Sequence, residues 1–285
     1  MTGRAPASLF AVALLAAAQD PGEVRFEHLA KGYRFTEGPA WNAKDQYLVF
    51  SDTPSDRLLK WVPGSAVTTM RTEANGPSGN AFDAQGRLYT AETRSRRVTR
   101  TTRDGSIEVL ADRWEGKRLN APNGIAVAKS GSVYFTDPAF GAQTDQRELD
   151  FYGVYHIPPK GPMTLLAKYA TRPHGIALSP NNRILYVANA DERNIRAFDL
   201  DKNGEASNER VVVAKVDGIP GGIAVDEKGL IWVAANGLSV YTPDGKRQRH
   251  LEMSDRISAC GFGDADWKTL FVTSRAEVLR IRLVN

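Results

Sequence analysis

Six residues, Glu37, Ser78, Asn123, His174, Gly221 and Cys260, each stand directly before a glycine at regular intervals along this chain. Four of them can ligate an ion or donate or accept a hydrogen bond. A column of positions used only for packing would be small and apolar, so this column is the candidate site of chemistry.

The elements that must carry the column follow from its surroundings. Each copy reads as a small or polar residue, Gly, an apolar stretch, a turn, and a second apolar stretch: Thr36-Glu37-Gly38-Pro39-Ala40-Trp41, Pro122-Asn123-Gly124-Ile125-Ala126-Val127 and Pro173-His174-Gly175-Ile176-Ala177-Leu178 are three of six. The glycines at 38, 79, 124, 175, 222 and 261 are spaced by 41, 45, 51, 47 and 39 residues, the range of one four-stranded propeller blade. The expected fold is all-β, a six-bladed β-propeller whose antiparallel blades surround a central channel. Radial repetition would bring the column to one place. Val133-Tyr134-Phe135-Thr136, Ile184 to Ala188, Leu230 to Ala234 and Leu270 to Thr273 read as buried strands, and tracts such as Asp83-Ala84-Gln85-Gly86 supply hairpin turns. The longest irregular segment, Pro138 to Phe151, reads as a lid over the channel mouth.

With 42% hydrophobic and 25% charged residues in 285, the composition is that of a globular domain. We expect a single domain over 19–285, preceded by a signal peptide. Arg4, the apolar run from Ala7 to Ala18 and its A-x-A end predict export to the periplasm or medium, with cleavage after Ala18 and no membrane attachment afterwards. The net charge of +4 is modest. Arg94, Arg96, Arg97, Arg100 and Arg103 have no interleaved aromatics, so they read as a solvated strand edge and not as a nucleic-acid surface. One cysteine excludes an internal disulfide and a Cys-rich zinc site. No Gly-x-Ser-x-Gly elbow or P-loop is present.

Phe35-Thr36-Glu37-Gly38-Pro39, Gly79-Asn80-Ala81-Phe82-Asp83, Leu119 to Gly124, Tyr134-Phe135-Thr136-Asp137-Pro138 and Gly175 to Pro180 together resemble bacterial gluconolactonases, within the group that includes regucalcin and luciferin-regenerating enzyme. The resemblance implies a six-bladed propeller that holds one divalent cation, usually calcium, at its channel and hydrolyses a small-molecule lactone or ester. It also implies metal ligands at Glu37 and Asn123, and substrate-side roles for Asn80 and Asn123. Two positions depart from the pattern. The family's fourth-blade Asn falls on His174, and its fifth-blade Asp, which binds metal and moves protons, falls on Gly221.

Calcium prefers six to eight oxygens and gains affinity from ligand charge. A set of Glu37, Asn123 and His174 is softer, and suits zinc, manganese or iron better. Glu37 and His174 are the catalytic candidates. A free His174 could supply the base that Gly221 cannot, whereas a metal-bound His174 would leave the nucleophile to a metal-activated water. Asp217 is a candidate substitute carboxylate. The first reading is a gluconolactonase-like hydrolase with an altered metal site, a monomer or small homo-oligomer. The second is a catalytically silent propeller that binds a small molecule or partner.

Overall fold

The computed structural model describes residues 26–283; the leader read over 1–18 lies outside them. Six four-stranded antiparallel sheets follow the six sequence repeats. The innermost strands are Thr36–Asn42, Pro77–Phe82, Ile125–Val127, Pro173–Leu178, Ile223–Val225 and Ile257–Gly263. Blades 1 to 5 are built from consecutive strands, but blade 6 takes its outermost strand, Phe26–Lys31, from the start of the described chain. That strand pairs Phe26 with Ile281 and Lys31 with Glu277, which fastens the ring.

The second strands are the most apolar, and Tyr47–Asp52, Val133–Asp137 and Ile231–Ala235 are buried along their whole length. Apolar residues collect between blades and not in one centre. One cluster joins Trp41 and Phe50 to Phe271 and Val278, and another joins Tyr186 and Val213 to Ile231 and Tyr241. Among the described residues, helix is confined to two 3₁₀ turns, Thr53–Ser55 and Gly141–Gln146.

The recurring glycine has a steric origin. The Gly79 N–H donates to the Asn123 carbonyl of the next blade at 2.9 Å, and a Cβ on Gly79 would stand 2.3 Å from that same oxygen. Inner strands this close leave no room for a side chain. At the same step the register shifts, between Glu37 and Ala40, between Pro77 and Asn80, and between Pro173 and Ile176. Such a bulge re-aims the residue before the glycine. In blade 6 the shift falls between Ile257 and Ala259, and the Ser258 carbonyl accepts from the Gly222 N–H at 2.8 Å. Ser258 therefore holds the column position that sequence spacing gives to Cys260. The sixth copy carries Ala259 where the others have glycine, and Gly261 instead makes room for the Pro39 carbonyl.

The arginine run is solvated at Arg94 and Arg103, partly covered at Arg97 and Arg100, and ion-paired along most of its length. Arg94 pairs with Asp56, Arg97 with Glu92, Arg100 with Glu108 and Arg103 with Asp45. Arg96 is buried and donates to the carbonyls of Leu119 and Gln146. The acidic partners lie up to 58 residues away in sequence, so the run itself gives no sign of them.

Candidate functional site

Where the inner strands begin, a cavity of about 300 Å³ opens at the mouth of the channel, and Glu37, Asn123 and His174 all line it. The segments leading to two of them are held by carboxylates at the ends of second strands. Asp52 accepts the N–H groups of Arg34 and Phe35, just before Glu37. Asp137 accepts those of Asn120 and Ala121 at 2.7 and 2.8 Å, just before Asn123. Both second-strand acids thus serve as fixtures for the column.

Glu37 is buried, and loss of water around its carboxyl raises its pKa to about 7, against the opposing pull of the Arg256 charge and a hydrogen bond from the Gly38 N–H. His174 is buried as well. Desolvation lowers its pKa to about 4, a shift resisted by its hydrogen bond to Pro220 and reinforced by the Arg256 and Arg172 charges. A ring neutral at pH 7 has one N–H, and the Pro220 carbonyl, 3.0 Å from Nδ1, takes it. The Nε2 lone pair is left for another partner. The Asn123 side chain makes no hydrogen bond among the described residues, so carboxyl, amide and imidazole each retain capacity for a ligand.

Asn80 lies outside the mouth cavity and meets Glu37 and Asn123 in a second one. It borders this cavity of about 230 Å³, farther along the channel, with Ile125, Ile176, Ile223 and Cys260. Its amide donates to the Gly38 carbonyl and the Ser51 hydroxyl and accepts from Thr90, so it locks blades 1 and 2 together. Glu37 and Asn123 border both cavities. Asp217 is exposed and absent from either lining. A Cβ on Gly221 would stand 2.1 Å from the Ser258 carbonyl, so the backbone here has closed over the space that an Asp would need. Cys260 is buried, and desolvation pushes its thiol up to about 12, which makes it a packing residue.

Two features of the mouth go beyond the column. Phe140 and Gln143, on either side of the start of the Gly141–Gln146 turn, line the cavity, and the Phe140 ring lies 5.1 Å from that of His174. The 138–151 segment therefore contributes wall to the site. Arg256, just before the inner strand of blade 6, also lines the cavity. It belongs to no repeated motif, and only its place one residue before the start of an inner strand could have drawn notice.

Among the described residues no three His, Cys, Asp or Glu side chains converge on a common point. An ion at the mouth would rest on one carboxylate, one neutral amide and one imidazole. That set is poor in charge for calcium and better matched to a transition ion.

Over residues 35–276 the chain matches the SMP-30/Gluconolactonase/LRE-like region. A gluconolactonase from Zymomonas mobilis is 30% identical over 289 residues, a match spanning 90% of this chain and 80% of that one. Bos taurus regucalcin is 26% identical over 85% of this chain and 84% of its own. A solved gluconolactonase structure from Xanthomonas campestris aligns with a TM-score of 0.86 at 33% identity, covering 92% of this chain and 90% of that one. A calcium-binding regucalcin from Agrobacterium tumefaciens shares the fold, with a TM-score of 0.78 at 17% identity over 91% of this chain and 93% of that one. The six blades, the column and the match across 35–276 agree: the chain belongs to the SMP-30/Gluconolactonase/LRE-like family.

Proposed function

We propose that this protein is an exported hydrolase that opens a lactone or related ester of a sugar acid. The observation that carries the reading is the meeting of Glu37, Asn123 and His174 in one cavity, each with an uncommitted polar atom. The gluconolactonase relatives support the reaction class.

Glu37, Asn123 and His174 would hold a divalent cation, with zinc or manganese suited better than calcium. When bound, such an ion supplies a Lewis-acid centre for the ester carbonyl and for water. His174, neutral at pH 7 with its one N–H held by the Pro220 carbonyl, offers its Nε2 lone pair. Glu37, on a carboxylate oxygen that does not hold the ion, is the group placed to take the proton of attacking water. Water adds its oxygen to the acyl carbon, the ring C–O bond breaks, and the departing oxygen is protonated. The product is a hydroxy acid, which ionises and releases one proton.

The closed space at Gly221 favours the second reading, a propeller that binds without turnover. One assay separates them: a panel of sugar lactones tested with calcium, zinc and manganese, using Glu37→Gln and His174→Ala. For a hydrolase, each substitution lowers kcat at least about 100-fold. Activity indifferent to both would remove the chemistry from this cavity, and no turnover with any ion would leave the binding reading.

A further inference from the structure

The mouth cavity offers different hydrogen-bonding capacity on different walls. The Thr53 hydroxyl donates to the Pro77 carbonyl at 2.6 Å and the Thr93 hydroxyl to the Gly76 carbonyl at 2.9 Å. Both threonines therefore present only lone pairs to a ligand. They suit the O–H groups of a sugar and disfavour an anion. The Asn123 and Gln143 amides can serve either way, and Phe35 and Phe140 supply apolar wall.

Arg256 is the exception. Its charge acts on both Glu37 and His174, and it has no hydrogen-bond or ion-pair partner among the described residues. The other arginines near the lining are committed. Arg172 lies over the Phe140 ring and is bonded to Asp191, and Arg96 donates to two backbone carbonyls and stands 3.8 Å from Glu148. An exposed guanidinium without a partner, lining a cavity whose threonine wall only accepts, is a site for a carboxylate, which it can meet with two parallel N–H bonds.

We propose that Arg256 is a specificity residue that binds a carboxylate on the substrate, so the preferred lactone carries an ionised carboxylate in addition to the ester that is opened. This inference rests on the reading of the cavity as a lactone-hydrolase site. Arg256 takes no part in the bond changes; it selects and orients.

The test compares D-glucono-1,4-lactone with D-glucaro-1,4-lactone, which share a ring and differ by a terminal carboxylate, in one metal-supplemented buffer. Wild-type protein is expected to favour the glucarolactone in kcat/KM, and Arg256→Gln to lower that preference about 10- to 100-fold, mainly through KM. Arg256→Lys retains part of the preference, and raised salt weakens that of the wild type. Equal losses on both lactones, or a wild type indifferent to the carboxylate, would overturn the assignment. Calorimetry with methyl β-D-glucuronide and methyl β-D-glucoside, neither of which has a lactone, reads the same contact without turnover. If no lactone is hydrolysed but the glucuronide still binds through Arg256, the hydrolase reading falls and the anion site stands. If the glucuronide binds no better than the glucoside, or its advantage survives Arg256→Gln, the anion site falls. Thermal melts confirm that each variant is folded.

Discussion

Burial gives Glu37 and His174 opposite tendencies, and at neutral pH both are drawn toward their uncharged forms. For Glu37 the consequence is measurable in stability. Its folded pKa of about 7 lies above the ordinary value of 4.5, so its contribution is fully present below pH 4.5 and is lost as pH rises through 7. In chelator-treated protein, Glu37→Gln should therefore match the wild type near pH 4.5 and exceed it near pH 8 by on the order of 1–3 kcal/mol. Urea unfolding at the two pH values reads this directly. Added zinc or manganese should reverse the order at pH 8, because the carboxylate then gains a counter-charge that Gln cannot use. A Gln variant without advantage at pH 8 would mean that Glu37 is not desolvated. Five of the six column residues were legible in sequence because each stands before a glycine that the inner-strand contact demands. Arg256 was not, since a loop residue that meets the site only through ring closure leaves no periodic mark. Ser258 was displaced by two positions because Ala259 does the work of a glycine in blade 6.

Among the strands, those with turns of Gly, Asn or Asp and continuous apolar runs could be read in advance, as Val133–Asp137 and Thr269–Ser274 show. The 138–151 segment could be read only as long and irregular, because what fixes it comes from other blades. Its far end is well tied: Arg96 donates to the Gln146 carbonyl at 3.1 Å, the Arg118 N–H to Glu148 at 2.8 Å, and the Asn120 amide to the Phe151 carbonyl at 2.9 Å. The Gly141–Gln146 turn has no side-chain cap and no buried residue, although it adjoins Phe140 at the site. A wall tied in this way should respond first to loss of its tether. Arg96→Ala leaves the Leu119 and Gln146 carbonyls without their charged donor and is expected to cost about 2–3 kcal/mol. Hydrogen exchange should then quicken over 141–151 while the inner strands stay protected. Uniform acceleration across all blades would assign Arg96 to global stability and not to this wall.

For the whole molecule, the decisive feature is that a ring of blade-to-blade clusters has no hub and is only as sound as its seam. The seam strand Phe26–Lys31 gave little sign of itself: it is short and mostly exposed, with charged and apolar residues mixed, and its partner strand lies at the far end of the described chain. Its hold on the ring comes from the ladder to Glu277–Arg282 and from Leu29, which packs against the cluster of Trp41, Phe271 and Val278. The cleavage expected after Ala18 would leave this strand intact, so export and closure are compatible. A chain beginning at Gln19 is the reference. A chain beginning at Gly32 loses the ladder and the Leu29 contact, about 2 kcal/mol from burial and hydrogen bonds. For a domain of this size that corresponds to a fall of roughly 5 °C in Tm. The loss should fall most heavily on blade 6, where Arg256 and Ser258 stand, so any response to ligands at the mouth should weaken together with the melt. Equal Tm values for the two truncations would show that the ring holds without its seam strand.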